Sequence, residues 1–250
     1  MSLVTTPAVL LRSFAYGETS RILRFFTREH GVVGVMARGV RKNGARGGTG
    51  LDTFTGGTLT VYMKPTRDLQ TLKEFTPAAP RSGLGRDVLR FAGASLAAEL
   101  VLRHAGEEAN PLLFEALGGA LDRLDAIAPD HVLPTVLSEA WRLVAVLGYE
   151  PVLERCVQCE RRLGEDAVAR FDFAAGGVRC PACSEGPGGP RVGPEARAQL
   201  RAFLRGEHVA PLRRARAHFR LLSDFITYHV SGSRPLDTFD FLDSVLPEDA

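Results

Sequence analysis

The sequence predicts an α+β multidomain protein with an N-terminal five-stranded β-barrel, an α-helical domain and an inserted four-cysteine zinc finger. Three observations lead to this prediction. Short β-branched and aromatic segments separated by turns fill the first 80 residues. After residue 86 the apolar residues recur three and four apart, as in amphipathic helices. All four cysteines of the chain lie in two Cys-x-x-Cys pairs.

The barrel prediction rests on five strand-length segments in residues 1–80. They are AVLLRSFA, SRILRFFT, VVGVMARG, TLTVYM and LQTLKEF, and they are separated by Tyr16-Gly17, His30-Gly31, the glycine cluster 44–50 and Lys64-Pro65. Five short strands without a long helix between them favour a small, closed or partly closed antiparallel barrel. The oligonucleotide/oligosaccharide-binding (OB) type is the simplest candidate.

The helical domain is predicted in two parts, residues 81–154 and residues 186–250. In the first part, Asn110 is a good N-cap followed by Pro111 at the first helical position, and Gly148 suits a helix C-terminus. The Gly/Pro-rich segment SEGPGGPRVGPE then leads into two further helical stretches, ARAQLRAFLRG and LRRARAHFRLLSDFITYHV.

Residues 155–185 between these parts are predicted to form a zinc finger. Cys156 and Cys159 make one pair, Cys180 and Cys183 the other, and 20 residues separate the pairs. This spacing suits one tetrahedral Zn²⁺ with four thiolate ligands, and it favours metal over two disulfides or four free thiols in a reducing cytosol. Four thiolates close the coordination shell, so we expect a structural zinc.

No catalytic constellation accompanies the cysteines, and we expect that the protein is not an enzyme. Zinc deaminases carry a His-x-Glu sequence, which this chain lacks. The six histidines are scattered, and neither a nucleophile elbow, a phosphate-binding loop nor a dinucleotide fingerprint is present. Without a signal peptide or a span of roughly 20 apolar residues, we expect a cytoplasmic protein without a membrane partner.

The charge distribution points to a polyanionic partner of the barrel. Residues 1–86 hold 13 Lys+Arg against 5 Asp+Glu, a balance of +8, whereas residues 87–155 have a balance of −6. Arginine-rich codon usage in a G+C-rich genome is an alternative explanation of the high arginine content, but it does not explain the concentration of charge at one end. The candidate DNA contacts are Arg12, Arg21, Arg24, Arg38, Arg41, Lys42, Arg46, Arg67 and Lys73.

Two hypotheses for nucleic-acid binding follow from these features. In the first, the barrel tracks the phosphate backbone, and some of its aromatic residues stack on bases while most belong to the core. The candidates for stacking are Phe14, Tyr16, Phe25, Phe26, Phe54 and Tyr62. In the second, the chain is a zinc-ribbon transcription or RNA-associated factor, and the zinc segment binds nucleic acid through its flanking arginines, which are Arg155, Arg161, Arg162 and Arg179.

The order of several short motifs resembles the bacterial RecO family of DNA repair proteins. The motifs are YGET (16–19), FTREHG (26–31), ARGVRK (37–42), LDTF (51–54), LQTLKE (69–74), LGYEP (147–151), CVQC (156–159) and GVRC (177–180). The resemblance covers residues 1–185 clearly and the C-terminal helices loosely. It implies an OB-type barrel, a helical domain and a zinc finger.

The same resemblance implies a mediator of the RecF recombination pathway. Such a protein binds single- and double-stranded DNA, anneals complementary strands, partners with RecR and assists the loading of RecA onto DNA coated by single-stranded-DNA-binding protein. It would associate with the nucleoid when bound to DNA. The family also docks the acidic tail of single-stranded-DNA-binding protein on its helical domain. Because residues 87–155 are acidic, that site requires local clustering of arginines such as Arg123 and Arg142.

Overall fold

The structure is a computed structural model, and it describes residues 2–40, 51–185, 188–207, 209, 211–232 and 234–247. The strands are β1 (Ser2–Tyr16), β2 (Ser20–Thr27), β3 (Gly31–Ala37), β4 (Gly56–Met63), β5 (Leu69–Pro77), β6 (Ala169–Asp172), β7 (Gly177–Arg179) and β8 (Arg191–Val192). The helices are α1 (Val88–His104), α2 (Pro111–Ala126), α3 (Val132–Val146), α4 (Pro194–Arg205), α5 (Ala215–His229) and α6 (Asp237–Val245). None of these helices is long and apolar enough to cross a bilayer.

Strands β1 to β5 close into a barrel in the order β1-β2-β3-β5-β4, which confirms the predicted five-stranded barrel. One pairing differs from the antiparallel barrel expected from the sequence, because β3 and β5 run parallel. The 15-residue β1 pairs with β4 along its first half and with β2 along its second half. β4 therefore lies on the far side of β1 from β2, and β5 closes the gap alongside β3.

A β-bulge in β1 changes which side chains face the barrel interior. The register of β1 against β2 shifts between Leu10 and Arg12, which leaves Leu11 as the extra residue. Leu10 is fully buried inside the barrel, opposite Phe25. Leu11 packs instead into the core of the helical domain. Beyond the bulge, Arg12 is exposed on the outer face of the sheet.

The barrel and the helical domain share one hydrophobic core. Val9, Leu11, Phe26 and Val32 project from the outside of the barrel into the same buried cluster as the helices. At this junction the β2–β3 turn lies against the segment that connects α1 to α2. Gly31, with a φ of +58°, sits so close that a Cβ there would lie 2.2 Å from a backbone oxygen of that segment. Only glycine fits this turn.

Side chains cap the first two helices as the sequence indicates. Asp87 accepts hydrogen bonds from the backbone N–H groups at the start of α1, both at 2.9 Å, and Asn110 accepts one from Leu113 at 3.0 Å before Pro111. Gly148 follows the end of α3 and donates its N–H to the carbonyl oxygen of Ala145 at 2.9 Å. These caps fix where α1 and α2 begin and where α3 ends.

Glu99 holds the C-terminal helix α6 against α1. Its carboxylate accepts the backbone N–H groups of Asp237 at 3.0 Å and Thr238 at 2.9 Å, and it pairs with Arg103 at 2.9 Å. Burial raises the pKa of Glu99, but the hydrogen bonds from Thr238 and Asp237 and the charge of Arg103 outweigh it, so the pKa lies below its ordinary value. The carboxylate therefore works as an N-terminal cap supplied by another helix.

We expect the docking of α6 to weaken in acid and after Glu99→Gln. Because folding lowers the pKa of Glu99, its contribution is complete above the unfolded-state pKa near 4.3 and is lost as the pH falls through the folded-state value. Glu99→Gln should cost about 1–2 kcal/mol at pH 7. Urea unfolding at pH 7 and pH 4 measures both effects. The exposed Glu107→Gln change is the control, and a Glu99→Gln protein that is equally destabilised at both pH values would contradict the argument.

The zinc segment folds as a small sheet against the helices. Its strands are ordered β7-β6-β8, and Phe171 of β6 is fully buried. The Phe171 ring contacts Phe225 of α5 at a centroid distance of 5.8 Å, and Phe225 contacts Trp141 of α3 at 5.1 Å. The segment is therefore built into the helical core and is not a free-standing appendage.

Candidate zinc centre and nucleic-acid interface

The four cysteines converge on one point at the edge of the small sheet. The Sγ atoms of Cys156, Cys159, Cys180 and Cys183 all lie within 4.8 Å of one another, and Cys159 Sγ lies 3.8 Å from Cys180 Sγ. Thiolates bound at about 2.3 Å to a tetrahedral Zn²⁺ are about 3.8 Å apart. The arrangement therefore fits a four-thiolate zinc site.

Two backbone turns aim the thiols at this point. Cys156 is fixed by hydrogen bonds of its backbone N–H to the Arg161 carbonyl and of its carbonyl to the Glu160 N–H, both at 2.9 Å. Glu160 has a φ of +58°, a left-handed conformation that closes the first turn. In the second turn, Cys183 donates its N–H to the Cys180 carbonyl at 3.0 Å. The hydrogen bonds of these turns thus fix where Cys156 and Cys183 lie.

The proton affinities of the thiols show why this cluster needs a cation. Burial raises the pKa of Cys156, but backbone N–H groups of Cys180, Cys159 and Gln158 donate to its sulfur and bring the pKa down to about 6. Hydrogen bonds to the sulfurs of Cys180 and Cys159 raise the pKa of Cys183 to about 12. Four thiolates this close repel one another, and a dication between them removes the repulsion.

A zinc ion held here has no open position for substrate. With four thiolate ligands its shell is complete, so the ion would brace the fold and would not activate water. Val178 of β7 belongs to the buried core, and Cys180 comes directly after this strand. The ligand set is therefore joined directly to the core. The cysteine cluster therefore adjoins the sheet that packs against α5.

Two arginines face each other on the outer surface of the barrel. Arg12 of β1 and Arg24 of β2 are direct cross-strand partners. Neither guanidinium lies within ion-pair distance of a carboxylate among the residues that the structure describes. Like charges in this position repel and destabilise the pair of strands. An anion bound between the two guanidiniums would remove that repulsion.

The positive surface continues from Arg24 toward the β4–β5 connection. A Cβ at Gly34 would lie 3.5 Å from Arg24 Nη1 and 3.0 Å from the carbonyl oxygen of Asp68, so the glycine leaves room for the guanidinium. Arg24, Lys64 and Arg67 line a groove of about 580 Å³. Its walls also include His30 and the carboxylates Asp68 and Glu107. The groove therefore has a net positive rim.

The remaining predicted DNA contacts are distributed differently. Arg21 has the strand parity of the interior residues Leu23 and Phe25, so it lies on the opposite face of the β1–β2 hairpin from Arg24. Arg38 is exposed just after β3, and Lys73 is exposed at a register shift in β5. Arg41, Lys42 and Arg46 lie outside the described residues.

Many other arginines already have carboxylate partners. Arg28, which follows β2, pairs with Glu115 of α2 at 3.1 Å. Arg81 pairs with Asp122 at 2.7 Å and also donates to the Phe54 carbonyl at 2.7 Å. These residues join the barrel to the helical domain. Sequence reasoning distinguishes them poorly from Arg12 and Arg24, because only the fold reveals which guanidiniums are neutralised.

Comparison with known proteins decides the family. The sequence matches the family model "Recombination protein O N terminal" over residues 1–81 and "Recombination protein O C terminal" over residues 85–236. The chain belongs to the RecO family. This RecO-family chain is 35% identical over 263 residues to the DNA repair protein RecO of Anaeromyxobacter sp. strain K, covering 99% of the chain and 98% of that protein.

Two further relatives support the same assignment. The DNA repair protein RecO of Nocardioides sp. strain JS614 is 32% identical over 231 residues, 89% of this chain and 93% of that protein. The DNA repair protein RecO of Bacillus subtilis strain 168 is 33% identical over 178 residues, 71% of this chain and 67% of that protein. Membership of the RecO family places the chain among DNA repair and recombination proteins.

The RecO-family chain also carries an arginine cluster in its helical domain. Arg123 of α2 donates two hydrogen bonds to the buried carboxylate of Glu139 on α3, at 2.5 and 2.6 Å, and Arg142 contacts the same carboxylate at 3.2 Å. Arg123 and Arg142 therefore meet at one carboxylate. They line a cavity of about 280 Å³ whose walls also include Glu150 and the apolar side chains of Leu143 and Val146.

The zinc segment of this RecO-family chain presents a second pair of opposed arginines. Arg155 and Arg162 are partners in an isolated antiparallel bridge, and both are exposed. They line a cavity of about 810 Å³ whose walls also carry Arg201, Arg205 and three glutamates. Arg179 is paired with Asp172. Residues 155–185 hold five arginines and five acidic residues, so this segment is less positive than residues 1–86, whose balance is +8.

Proposed function

We propose that this RecO-family chain is a non-enzymatic mediator of DNA repair by homologous recombination that binds single- and double-stranded DNA and anneals complementary strands. The observation that carries the proposal is the cross-strand pair Arg12 and Arg24, two guanidiniums without a carboxylate partner among the described residues. Arginine binds phosphate oxygens through a rigid fork of donors. Each of the two side chains can hold one phosphate of the same strand.

Annealing follows from charge neutralisation. Two DNA strands repel each other through their phosphates, and a protein that neutralises phosphates releases condensed counterions and lowers this repulsion. Arg24, Lys64 and Arg67 extend the positive surface along a groove, so several consecutive phosphates can be held. Base pairing then supplies the remaining free energy, and no covalent bond needs to form or break. The proposed zinc is structural and takes no part in this process.

The proposed partners are RecR, single-stranded-DNA-binding protein and, indirectly, RecA. Membership of the RecO family supports this set. For single-stranded-DNA-binding protein, the support in this chain is that Arg123 and Arg142 meet beside apolar side chains of α3. We propose that the acidic tail of that protein docks there. The proposed location is the cytoplasm, on the nucleoid when DNA is bound.

The proposal predicts strong, salt-dependent binding that depends on Arg12 and Arg24. Fluorescence anisotropy of a labelled single-stranded oligonucleotide, titrated across a salt series, measures it. We expect Arg12→Glu/Arg24→Glu to weaken binding on the order of 100-fold and to reduce the slope of log K against log salt by about 1.4, equal to two lost phosphate contacts. Wild-type protein that does not bind at low salt would overturn the proposal.

The matched control is Arg155→Glu/Arg162→Glu. It makes the same change in charge, also at two exposed arginines that face each other across an antiparallel pairing. That opposed pair is the observation that favours the second candidate function, a zinc-ribbon transcription or RNA-associated factor. We expect the control variant to bind DNA almost as well as the wild type. Loss of binding in the control, with binding retained in Arg12→Glu/Arg24→Glu, would favour the second candidate.

A further inference from the structure

Two aromatic side chains continue the line that begins at Arg12. Phe14 and Tyr16 follow Arg12 at two-residue intervals along β1, so all three project from the same outer face of the hairpin. The cross-strand partner of Phe14 is Ile22, and that of Tyr16 is Ser20. Along β1, this face therefore carries the arginine first and then the two aromatic rings, all in one row.

Both rings are exposed to solvent. Phe14 is 45% exposed and Tyr16 is 56% exposed, whereas Phe25, Phe26 and Phe54 are each at most 4% exposed. The buried rings have partners in the two cores: Phe25 contacts Phe75, Phe26 contacts Phe114 and Phe54 contacts Phe91. Phe91 and Tyr228 are similarly exposed, but they lie on helices. What distinguishes Phe14 and Tyr16 is that they are neighbours on one strand face and adjoin two arginines.

The charge beside the rings identifies the class of ligand. The Arg12 guanidinium lies over one face of the Phe14 ring, 5.5 Å from its centroid. A base that stacks on the other face brings its phosphate within reach of this cation. A partner with an apolar surface alone would have to bury Arg12 and Arg24 without a counterion. A ligand that carries negative charge and flat rings together matches both parts of the face.

The spacing of the rings distinguishes single strands from duplex. Side chains two residues apart on one face of a strand are separated by about 6.8 Å. Bases in a duplex follow each other at about 3.4 Å and offer only their edges, because their faces are stacked. A stretched single strand exposes the faces of its bases, and each ring can take one of them.

We propose that Phe14 and Tyr16 stack on unpaired bases while Arg12 and Arg24 hold the adjoining phosphates, so that this face binds single-stranded nucleic acid in preference to duplex. The inference rests on the proposed DNA binding and adds the type of strand and the residues that select it. The strand runs along the outer face of β1, with its bases over Phe14 and Tyr16.

The test compares two double variants on three probes. Phe14→Leu/Tyr16→Leu keeps apolar side chains on the strand but removes the flat rings, and Phe14→Trp/Tyr16→Trp keeps the stacking surface. The probes are a labelled single-stranded oligonucleotide, the same length of duplex, and a single-stranded oligonucleotide without bases. Anisotropy gives the affinity for each, and circular dichroism melts check that the variants fold.

We expect the leucine variant to bind the single strand on the order of 100-fold more weakly, which is about 10-fold for each lost stack. Its affinity for duplex and for the abasic strand should stay at the wild-type level, and the tryptophan variant should bind the single strand as the wild type does. Wild-type protein should bind the abasic strand as weakly as the leucine variant binds the normal one.

Unchanged affinity of the leucine variant for the single strand would overturn the inference. If Arg12→Glu/Arg24→Glu still abolished binding in that case, the proposed DNA binding would stand without base stacking. If wild-type protein bound none of the three probes, the proposed function itself would fail. A leucine variant with normal DNA affinity but an altered sedimentation coefficient would show instead that this face joins two copies of the chain.

Discussion

Cys156→Ser is expected to abolish zinc binding and to lower the melting temperature by more than about 10 °C. Cys156 is fully buried, and its sulfur is the one that backbone N–H groups bring nearest to the thiolate form. A structural zinc contributes apparent free energies of about 10–16 kcal/mol in isolated zinc fingers. Here we expect a loss of at least about 5 kcal/mol, and each kcal/mol corresponds to about 2–4 °C.

The loss should spread beyond the zinc segment, because its sheet is part of the helical core. Phe171 contacts Phe225 of α5, and Phe225 contacts Trp141 of α3. When the ligand turns separate, β6 no longer holds Phe171 in place, and the Trp141 environment changes. Near-ultraviolet circular dichroism and the fluorescence of Trp141, the only tryptophan in the chain, report on this directly.

Gln158→Ser is the matched control for the cysteine change. It places serine in the same turn, at an exposed position whose side chain is not a ligand. We expect it to retain one zinc per chain by mass spectrometry of metals and to melt within about 2 °C of the wild type. A Cys156→Ser protein with full zinc content and an unchanged melting temperature would refute the four-thiolate site.

Arg90→Met is expected to destabilise the fold by about 3–5 kcal/mol. Arg90 is a buried residue of α1, and its guanidinium donates to the carbonyl oxygens of Leu124 at 2.8 Å and Asp125 at 2.9 Å, and also to that of Ile127. These carbonyls belong to the last turn of α2 and its end, where the helix has no N–H partners of its own. Methionine keeps an unbranched apolar stem but leaves the buried acceptors unsatisfied.

Urea unfolding measures the effect of Arg90→Met, with Arg86→Met as the control. Arg86 precedes the same helix and is exposed, so the identical chemical change there should cost less than about 0.5 kcal/mol. If the two variants unfold at the same urea concentration, the guanidinium of Arg90 does not cap α2. A larger loss in Arg90→Met than in Arg90→Lys would show that the number of donors matters.

Local patterns were sufficient to predict the barrel, the clustering of the four cysteines and the N-cap of α2. Strand-length segments rich in β-branched and aromatic residues, Cys-x-x-Cys spacing, and Asn110 before Pro111 each depend on neighbours in the chain. The register of β1 against β2 does not follow from such local patterns, because the bulge at Leu11 determines that Arg12 faces Arg24. The parallel β3–β5 pairing also escaped prediction, since it joins two strands that are not neighbours in the sequence.

The sequence also did not reveal which charged residues, distant along the chain, form ion pairs. Arg28 and Arg24 are four residues apart, and their sequence surroundings do not distinguish them. Yet Arg28 pairs with Glu115, whereas Arg24 has no such partner among the described residues. The two arginines that meet at Glu139 come from different helices. Such contacts depend on helix packing angles, which apolar periodicity does not specify. The predicted loop contacts Arg41, Lys42 and Arg46 lie outside the described residues and stay predictions.

The barrel depends on the helical domain to cover the apolar residues on its outer surface. Val9, Leu11, Phe26 and Val32 are covered only because the helical domain lies over them. In a fragment that ends at residue 80, all four side chains would be exposed to water as one apolar patch, and the fragment would tend to aggregate. A chimera of this barrel with the helices of a distant relative would leave the same side chains poorly covered, because the two surfaces must match in shape. The back of the barrel and the helices that cover it are therefore constrained to change together in evolution.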